Sequence, residues 1–303
     1  MNKIGLYNID SKMPNYALMK ISKWHKAHND NVTWYTPIEH PLFDRVYASS
    51  IFTWSDKSYL QDSVITGGTG FNIKTKLTQD IDDCEPDYSL YSDFKQAIGF
   101  LTRGCIRKCS ECFVPEKEGM IRPYRDIETI VQDRKEVILF DNNVLACDHG
   151  LKQIERITEM PIKVDFNQGL DARLITEDIA YLLSKVRWLK PLRLACDNIS
   201  MIEPVRKAVE LLRKYHCTPT NYFIYLLVKD IPSALTRAIF CRELKTDPFA
   251  QPYRNIKGDE PPKILKHFSR WVNHKAIFKT VDWNDYEIHT PTISNRDRSK
   301  ATP

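Results

Sequence analysis

From residue 97 onward the chain repeats one pattern: a short apolar run, polar residues at its end, then a helical segment. The runs are "AIGFLTRG" (97–104), "EVILFDNN" (136–143), "IKVDFNQGLDARL" (162–174), "LRLACDN" (192–198) and "NYFIYLLV" (221–228), and they recur about every 30 residues. Helical patterns at 126–134, 150–160, 176–188, 202–216 and 233–244 lie between and after them. Thr176 stands where an N-cap belongs, and 202–216 carries a proline in its first turn. "DPFAQPYRN" (247–255) reads as a short last strand. Continuously apolar strands are buried on both faces, as in parallel sheets. Five or six β-α units of this period close into a barrel or open into a doubly wound sheet. In both, chemistry sits at the carboxyl ends of the strands. Polar residues fall there: Asp141, Asn142 and Asn143; Asn167, Gln168, Asp171 and Arg173; Asp197 and Asn198.

The first run leads into "GCIRKCSECFVPEKEG" (104–119), where Cys105, Cys109 and Cys112 are spaced C-x3-C-x2-C. The other five of the eight cysteines are scattered singly, and Cys196 and Cys241 lie in apolar stretches where a thiol packs as a small hydrophobe. Thiolates are soft ligands that select zinc or iron–sulfur clusters. Structural zinc takes four protein ligands, and the fourth would have to come from a distance, His149 being one candidate. Three thiolates on a [4Fe–4S] cube leave one iron open to a substrate or cofactor.

Residues 1–75 alternate strand and helix signals and read as a small Rossmann-like α/β unit. "TGGTG" (66–70) reads as a tight turn rather than a phosphate loop, because the full glycine spacing is missing. Residues 76–96 are polar without sustained period and read as a linker. The segment 256–303 shows one amphipathic helix and a basic tail expected to fray, with His267 and His274 read as surface groups.

The cysteine loop, placed after the first strand of a β-α series, resembles the radical SAM enzyme superfamily over residues 95–255. "GGTGF", "PDYSLY" and "TRGCIRKC", together with the N-terminal unit, resemble its B12-binding-domain type. The resemblance implies a partial (β/α)6 barrel over 97–255, preceded by the small unit and followed by a helical extension. It implies a [4Fe–4S] cluster on Cys105, Cys109 and Cys112 that reductively cleaves S-adenosylmethionine (SAM). The resulting 5′-deoxyadenosyl radical then abstracts hydrogen from an unidentified substrate. By position it places Asp141, Asn142 and Asn143 near the SAM amino group, Asn167, Gln168 and Arg173 near its ribose and carboxylate, and Asp197 near SAM or substrate. Arg103, Arg107 and Lys108 lie beside the cluster loop.

The sequence departs from the family in three places. Glu111 stands where an aromatic residue commonly precedes the third cysteine, with Phe113 after it. "DNN" replaces the common Gly-Gly-Glu. Asp10 is followed by no histidine of an Asp-x-His-x-x-Gly motif. On that last ground the N-terminal unit is expected not to bind cobalamin.

The alternative reading is a non-catalytic iron–sulfur or zinc protein that binds or carries electrons. There is no G-x-S-x-G, Walker loop or H-E-x-x-H, so hydrolase and kinase readings have no support. The net charge of +5 is too mild to argue for nucleic acid, and neither a second cluster domain nor a small RNA-binding barrel is visible; a nucleic-acid substrate stays open. The expected partners are a small-molecule or other substrate and a reductant such as flavodoxin or ferredoxin. No apolar run approaches the roughly 18–20 residues of a membrane span, and the chain reads as cytoplasmic.

Overall fold

The computed structural model describes residues 1–217 and 221–289. The basic tail lies outside them. Among the described residues no helix is long and apolar enough to cross a membrane.

The chain begins with four parallel strands: β1 (Lys3–Asn8), β2 (Asn31–Trp34), β3 (Arg45–Ser49) and β4 (Ile65–Gly67), in the order β2-β1-β3-β4. The helix Tyr16–Ala27 starts at Asn15, whose side chain accepts from Leu18 N at 3.2 Å. Its Leu18 and Ile21 bury Ile4, Leu6 and Val32 on one face of the sheet. Tyr35, Val46, Ala48 and Val64 form a second small core. The "TGGTG" turn is tight for a packing reason. Gly68 has φ +91°, and a Cβ there would stand 2.4 Å from Ser50 O.

Residues 76–96 are more than a linker: they form a strap packed between the first sheet and the rest. Lys20, fully buried, donates to Asp82 at 2.8 Å and to the Tyr124 hydroxyl at 2.5 Å. Ile98 N donates to the Tyr88 hydroxyl at 2.8 Å. Leu77, Ile81 and Leu90 pack on the first core from irregular spacing, and polar contacts supply the rest, so the segment shows no period. Asp87 is its firmest point, accepting from Ser22 Oγ and Lys26 Nζ, each at 2.6 Å, and from Ser89 N at 2.9 Å. Burial works to raise its pKa, but the donors from Lys26, Ser22 and Ser89 outweigh it and bring it down to about 2. A depressed folded pKa contributes stability that is present above the unfolded value near 4 and lost as pH falls toward 2. Urea unfolding of Asp87→Asn followed between those limits is expected to show a shallower acid decline than wild type. An identical pH slope would mean that Asp87 carries no such linkage.

The second part runs through β5 (Ala97–Gly99), the short antiparallel pair β6 (Thr102–Arg103) and β7 (Arg122–Pro123), then β8 (Glu136–Leu139), β9 (Lys163–Phe166), β10 (Arg193–Ala195), β11 (Phe223–Val228) and β12 (Asp247–Pro252). Two parallel sheets result, β5-β8-β9 and β10-β11-β12, in chain order. Parallel bridges from Val164 to Trp188 and from Leu170 to Leu194 run between their edges. Helices Asp148–Glu159, Glu177–Ser184, Ile202–Lys214 and Ile231–Glu243 provide the crossovers and cover one face. Thr176 caps its helix as expected, accepting from Ile179 N at 3.3 Å.

β8, β10 and β11 alternate where the sequence looked continuous, whereas β5 is buried throughout and β9 at all but its first residue. In β11, Ile224, Leu226 and Val228 are buried under the helices, while Phe223, Tyr225 and Leu227 are half-buried on the other, inner face. The C-terminal segment forms three helices, Lys263–Asn273, Lys275–Thr280 and Trp283–His289, rather than one. Phe268, Trp271, Phe278 and Trp283 join the main core. His274 is exposed as expected, but His267 is only 2% exposed and stacks on Tyr286. The surface reading of His267 is corrected by that aromatic cluster, whose members the chain does not place side by side.

Candidate functional site

The cysteine loop is held closed from both ends. Between β6 and β7, Cys105 N donates to Gly119 O at 3.2 Å. Gly104 takes φ +86°, and a Cβ there would come within 2.4 Å of Met120 O, so only glycine fits. Glu118 ties the closure to its surroundings. It accepts from Arg103 at 2.8 Å and from Gly104 N and Asn142 Nδ2, each at 3.0 Å. The sequence reading missed Glu118; its only signal is an acid standing directly before the closing glycine.

Asp141 follows the end of β8 and points back across the sheet. Its carboxylate accepts from Leu101 N at 3.1 Å, Thr102 N at 2.6 Å and Thr102 Oγ1 at 2.7 Å. Burial pushes its pKa up to about 6 against these donors. What Asp141 visibly holds is the strand-to-loop turn that launches the cysteines.

Around Cys105 the ends of β8 and β9 converge. Its sulfur accepts from Arg107 N at 3.3 Å and from Asn143 Nδ2 at 3.6 Å. The same Asn143 nitrogen lies 3.3 Å from Asp171 Oδ2. Asp171 is held by two guanidinium groups, from Arg107 Nε at 2.9 Å and Arg173 Nε at 2.7 Å. Burial works to raise the Asp171 pKa, but Arg173 and Arg107 outweigh it and bring it down. Arg173 is raised in turn, first by Asp171 and further by the Cys109 and Cys105 thiols nearby. Asn143 is 3% exposed, and its side-chain oxygen is buried without a hydrogen-bond partner. An orphaned acceptor beside a thiol is a costly arrangement unless something that donates arrives.

The remaining predicted residues are spread along the same strand ends. Asp197 accepts from Leu227 N at 3.0 Å. Asn167 and Gln168 follow β9, and the Asn167 carbonyl accepts from the Tyr225 hydroxyl at 3.3 Å. Glu111 pairs with Lys229, which fixes the loop to the end of β11. His149 instead faces the Arg125 carbonyl at 3.2 Å and Asp126.

The donor set suits a soft, multi-iron group. Cys105, Cys109 and Cys112 are all free thiols, the first half-buried and the other two exposed. Partial burial raises the Cys112 thiol, and the neighbouring Cys109, Cys105 and Asp197 add to that rise. Bound as thiolates, three such groups would call for a positive group between them. Among the described residues no three His, Cys, Asp or Glu side chains gather as a single metal ion would require. A cube, whose corners stand apart, asks for a looser arrangement than one ion does.

No family model and no curated protein sequence matches the chain. Two solved structures of the cobalamin-dependent S-adenosylmethionine radical enzyme OxsB are similar to it. The one with aqua-cobalamin and S-adenosylmethionine bound has a TM-score of 0.53 at 12% identity, over 100% of this chain and 62% of that one. The one with aqua-cobalamin bound has a TM-score of 0.56 at 12% identity, over 92% of this chain and 56% of that one. The chain thus spans less than two thirds of the length of either, and the likeness is one of fold: mixed α/β with parallel sheets. It corrects one expectation. Cobalamin was set aside because no histidine follows Asp10, yet both similar structures hold aqua-cobalamin. The missing motif is therefore no ground for setting cobalamin aside. Asp10 itself is occupied, accepting from Ile51 N at 2.8 Å, Ser50 Oγ at 2.6 Å and Ser55 Oγ at 2.7 Å.

Proposed function

We propose that this protein is a radical SAM enzyme whose six parallel strands form a partial barrel around the reaction. The observation that carries the reading is the convergence on Cys105: a three-cysteine loop closed by the β6–β7 pair, an orphaned Asn143 oxygen beyond β8 and a paired Asp171–arginine group beyond β9. A [4Fe–4S] cluster with one open iron, when bound, supplies the electron that cleaves SAM and so starts hydrogen abstraction. Cys105, Cys109 and Cys112 hold that cluster. The Arg107 N–H and the Asn143 amide, both on the Cys105 sulfur, favour its more negative state.

The buried Asn143 oxygen accepts from the SAM amino group, which removes its deficit. Arg173 and Arg107 supply positive charge for a carboxylate, with Asp171 keeping both side chains aimed. Asn142, Asn167, Gln168 and Asp197 line the rest of the rim, and Asp141 holds the strand-to-loop turn beneath it. The strap packs against the β5 side of the series through Tyr88 and ties it to the helix on the first sheet through Asp82.

The test is anaerobic reconstitution with iron and sulfide, followed by dithionite and SAM, with 5′-deoxyadenosine as the readout. Cleavage that needs the cluster supports the proposal. A chain that loads no iron, or a loaded cluster whose EPR signal SAM does not change and that yields no 5′-deoxyadenosine, points to the binding or electron-transfer alternative. Parallel reactions with and without aqua-cobalamin show whether the outcome depends on it.

A further inference from the structure

The inner face of β10, β11 and β12 carries a cavity that the cysteine site does not use. Register fixes its walls. Arg193 lies beside Phe223, and Phe223 beside Asp247, in one row; Tyr225 lies beside Phe249 in the next. Residues paired across parallel strands point to the same face, so these side chains share one surface. With Lys275 from the C-terminal helices they surround about 290 Å³, near the lower end of small-molecule sites, roughly 300 Å³.

The lining is not that of a plain core. Phe223 and Phe249 stack at 5.5 Å and 28°, and Tyr225 stands edge-on to both. Phe249 nonetheless stays 37% exposed, leaving ring surface open to the cavity. Both acids at the site are already engaged: Asp165 by Arg193, and Asp247 by Lys275 at 2.6 Å and Asn221 at 3.0 Å. No carboxylate is left to hold a cation. The cations have capacity to spare, because a guanidinium offers five N–H groups and an ammonium three. Lys275 is the looser of the two, its side chain 62% exposed.

The cavity lies at the amino ends of these strands: Arg193, Phe223 and Asp247 are the first residues of β10, β11 and β12. Higher up, Tyr225 reaches the Asn167 carbonyl, and two residues further along β11 Leu227 N meets Asp197. At about 3.3 Å per residue, Phe223 lies about 13 Å below that level.

We propose that this cavity binds a small aromatic acid: a planar ring lying against Phe249 and Tyr225, with its carboxylate toward Arg193 and Lys275. The proposal is independent of the radical SAM reading, because the cavity lies at the opposite ends of the strands and binding there needs neither cluster nor SAM. The test is calorimetric titration of the full chain, purified without a cluster, with three probes. Indole-3-carboxylate has ring and charge, cyclohexanecarboxylate has charge without a π-face, and benzylamine has a ring with the opposite charge. Saturable binding of indole-3-carboxylate is expected, with each of the other probes at least about tenfold weaker. Phe249→Leu and Lys275→Gln, both at exposed positions, should each weaken it severalfold while the chain still unfolds cooperatively. Absence of saturation at millimolar indole-3-carboxylate, equal binding of the three probes, or unchanged affinity in both variants would overturn the proposal. Binding without any SAM cleavage would keep the pocket and remove the radical reading; cleavage without binding would do the reverse.

Discussion

Cys109→Ala is expected to yield a folded chain that holds no complete cluster and forms no 5′-deoxyadenosine. Cys109 is exposed, and its backbone carbonyl accepts from Cys112 N at 3.1 Å. Alanine keeps that carbonyl. Surface changes of this kind fall within about 0.5 kcal/mol, so the melting curve should hardly move. The thiolate, by contrast, has no substitute. Besides Cys105 and Cys112, which are ligands themselves in this reading, no cysteine lies on this loop, and His149 is turned to Arg125. The control is Cys241→Ala, at a buried thiol in the helical layer. It should lower stability by about 1–2 kcal/mol and leave iron content near wild type. Iron analysis, visible absorbance and 5′-deoxyadenosine, measured on both variants after the same reconstitution, decide the matter. Wild-type iron content and cleavage in Cys109→Ala would remove Cys109 from the ligand set.

Asp141→Ala should show the reverse: a stability loss first and a functional loss as its consequence. The substitution leaves Leu101 N, Thr102 N and Thr102 Oγ1 without their acceptor in a fully buried place. Each buried donor left unpaired costs about 1–3 kcal/mol, or about 3–9 kcal/mol for the three, and removing a carboxylate whose burial is itself costly offsets part of that, so a net loss of a few kcal/mol is expected. Urea unfolding of the chain without cluster measures this directly. Because Thr102 and Arg103 form the strand that launches the cysteines, iron uptake should fall as well. Asp141→Asn keeps the shape and one acceptor and should fall between the two. If Asp141→Ala kept wild-type stability but lost SAM cleavage, the residue would act on SAM rather than on the turn.

Asp141 also shows what a chain reading can resolve. A polar residue at a strand end is visible from the alternation of run and helix: Asp141, Asn167 and Asp197 follow β8, β9 and β10 within two residues, whereas Arg173 lies in a short helical turn beyond β9. Which way each side chain turns is not visible. Asp141 turns back under the sheet to two backbone amides, whereas Asn143, two residues on, turns toward Cys105. The strap at 76–96 failed as a linker for a related reason. Its anchors, Lys20 to Asp82 and Ser22 to Asp87, join residues more than sixty positions apart. No local period records such a pair. Glu118 was hidden because one side chain there serves two strand ends at once.

By itself the sequence determined the parallel α/β plan and the three-thiol loop, because both rest on spacing along the chain: apolar runs at a regular interval, and cysteines within one turn of backbone. The tertiary structure alone decided what stands around that loop. The Asp171–arginine pairing, the unpaired Asn143 oxygen and the ring-lined cavity on the inner face each bring together groups from different strands. Their meeting depends on register and on which face each residue presents, and a strand's neighbours across a parallel sheet are separated from it by a whole crossover.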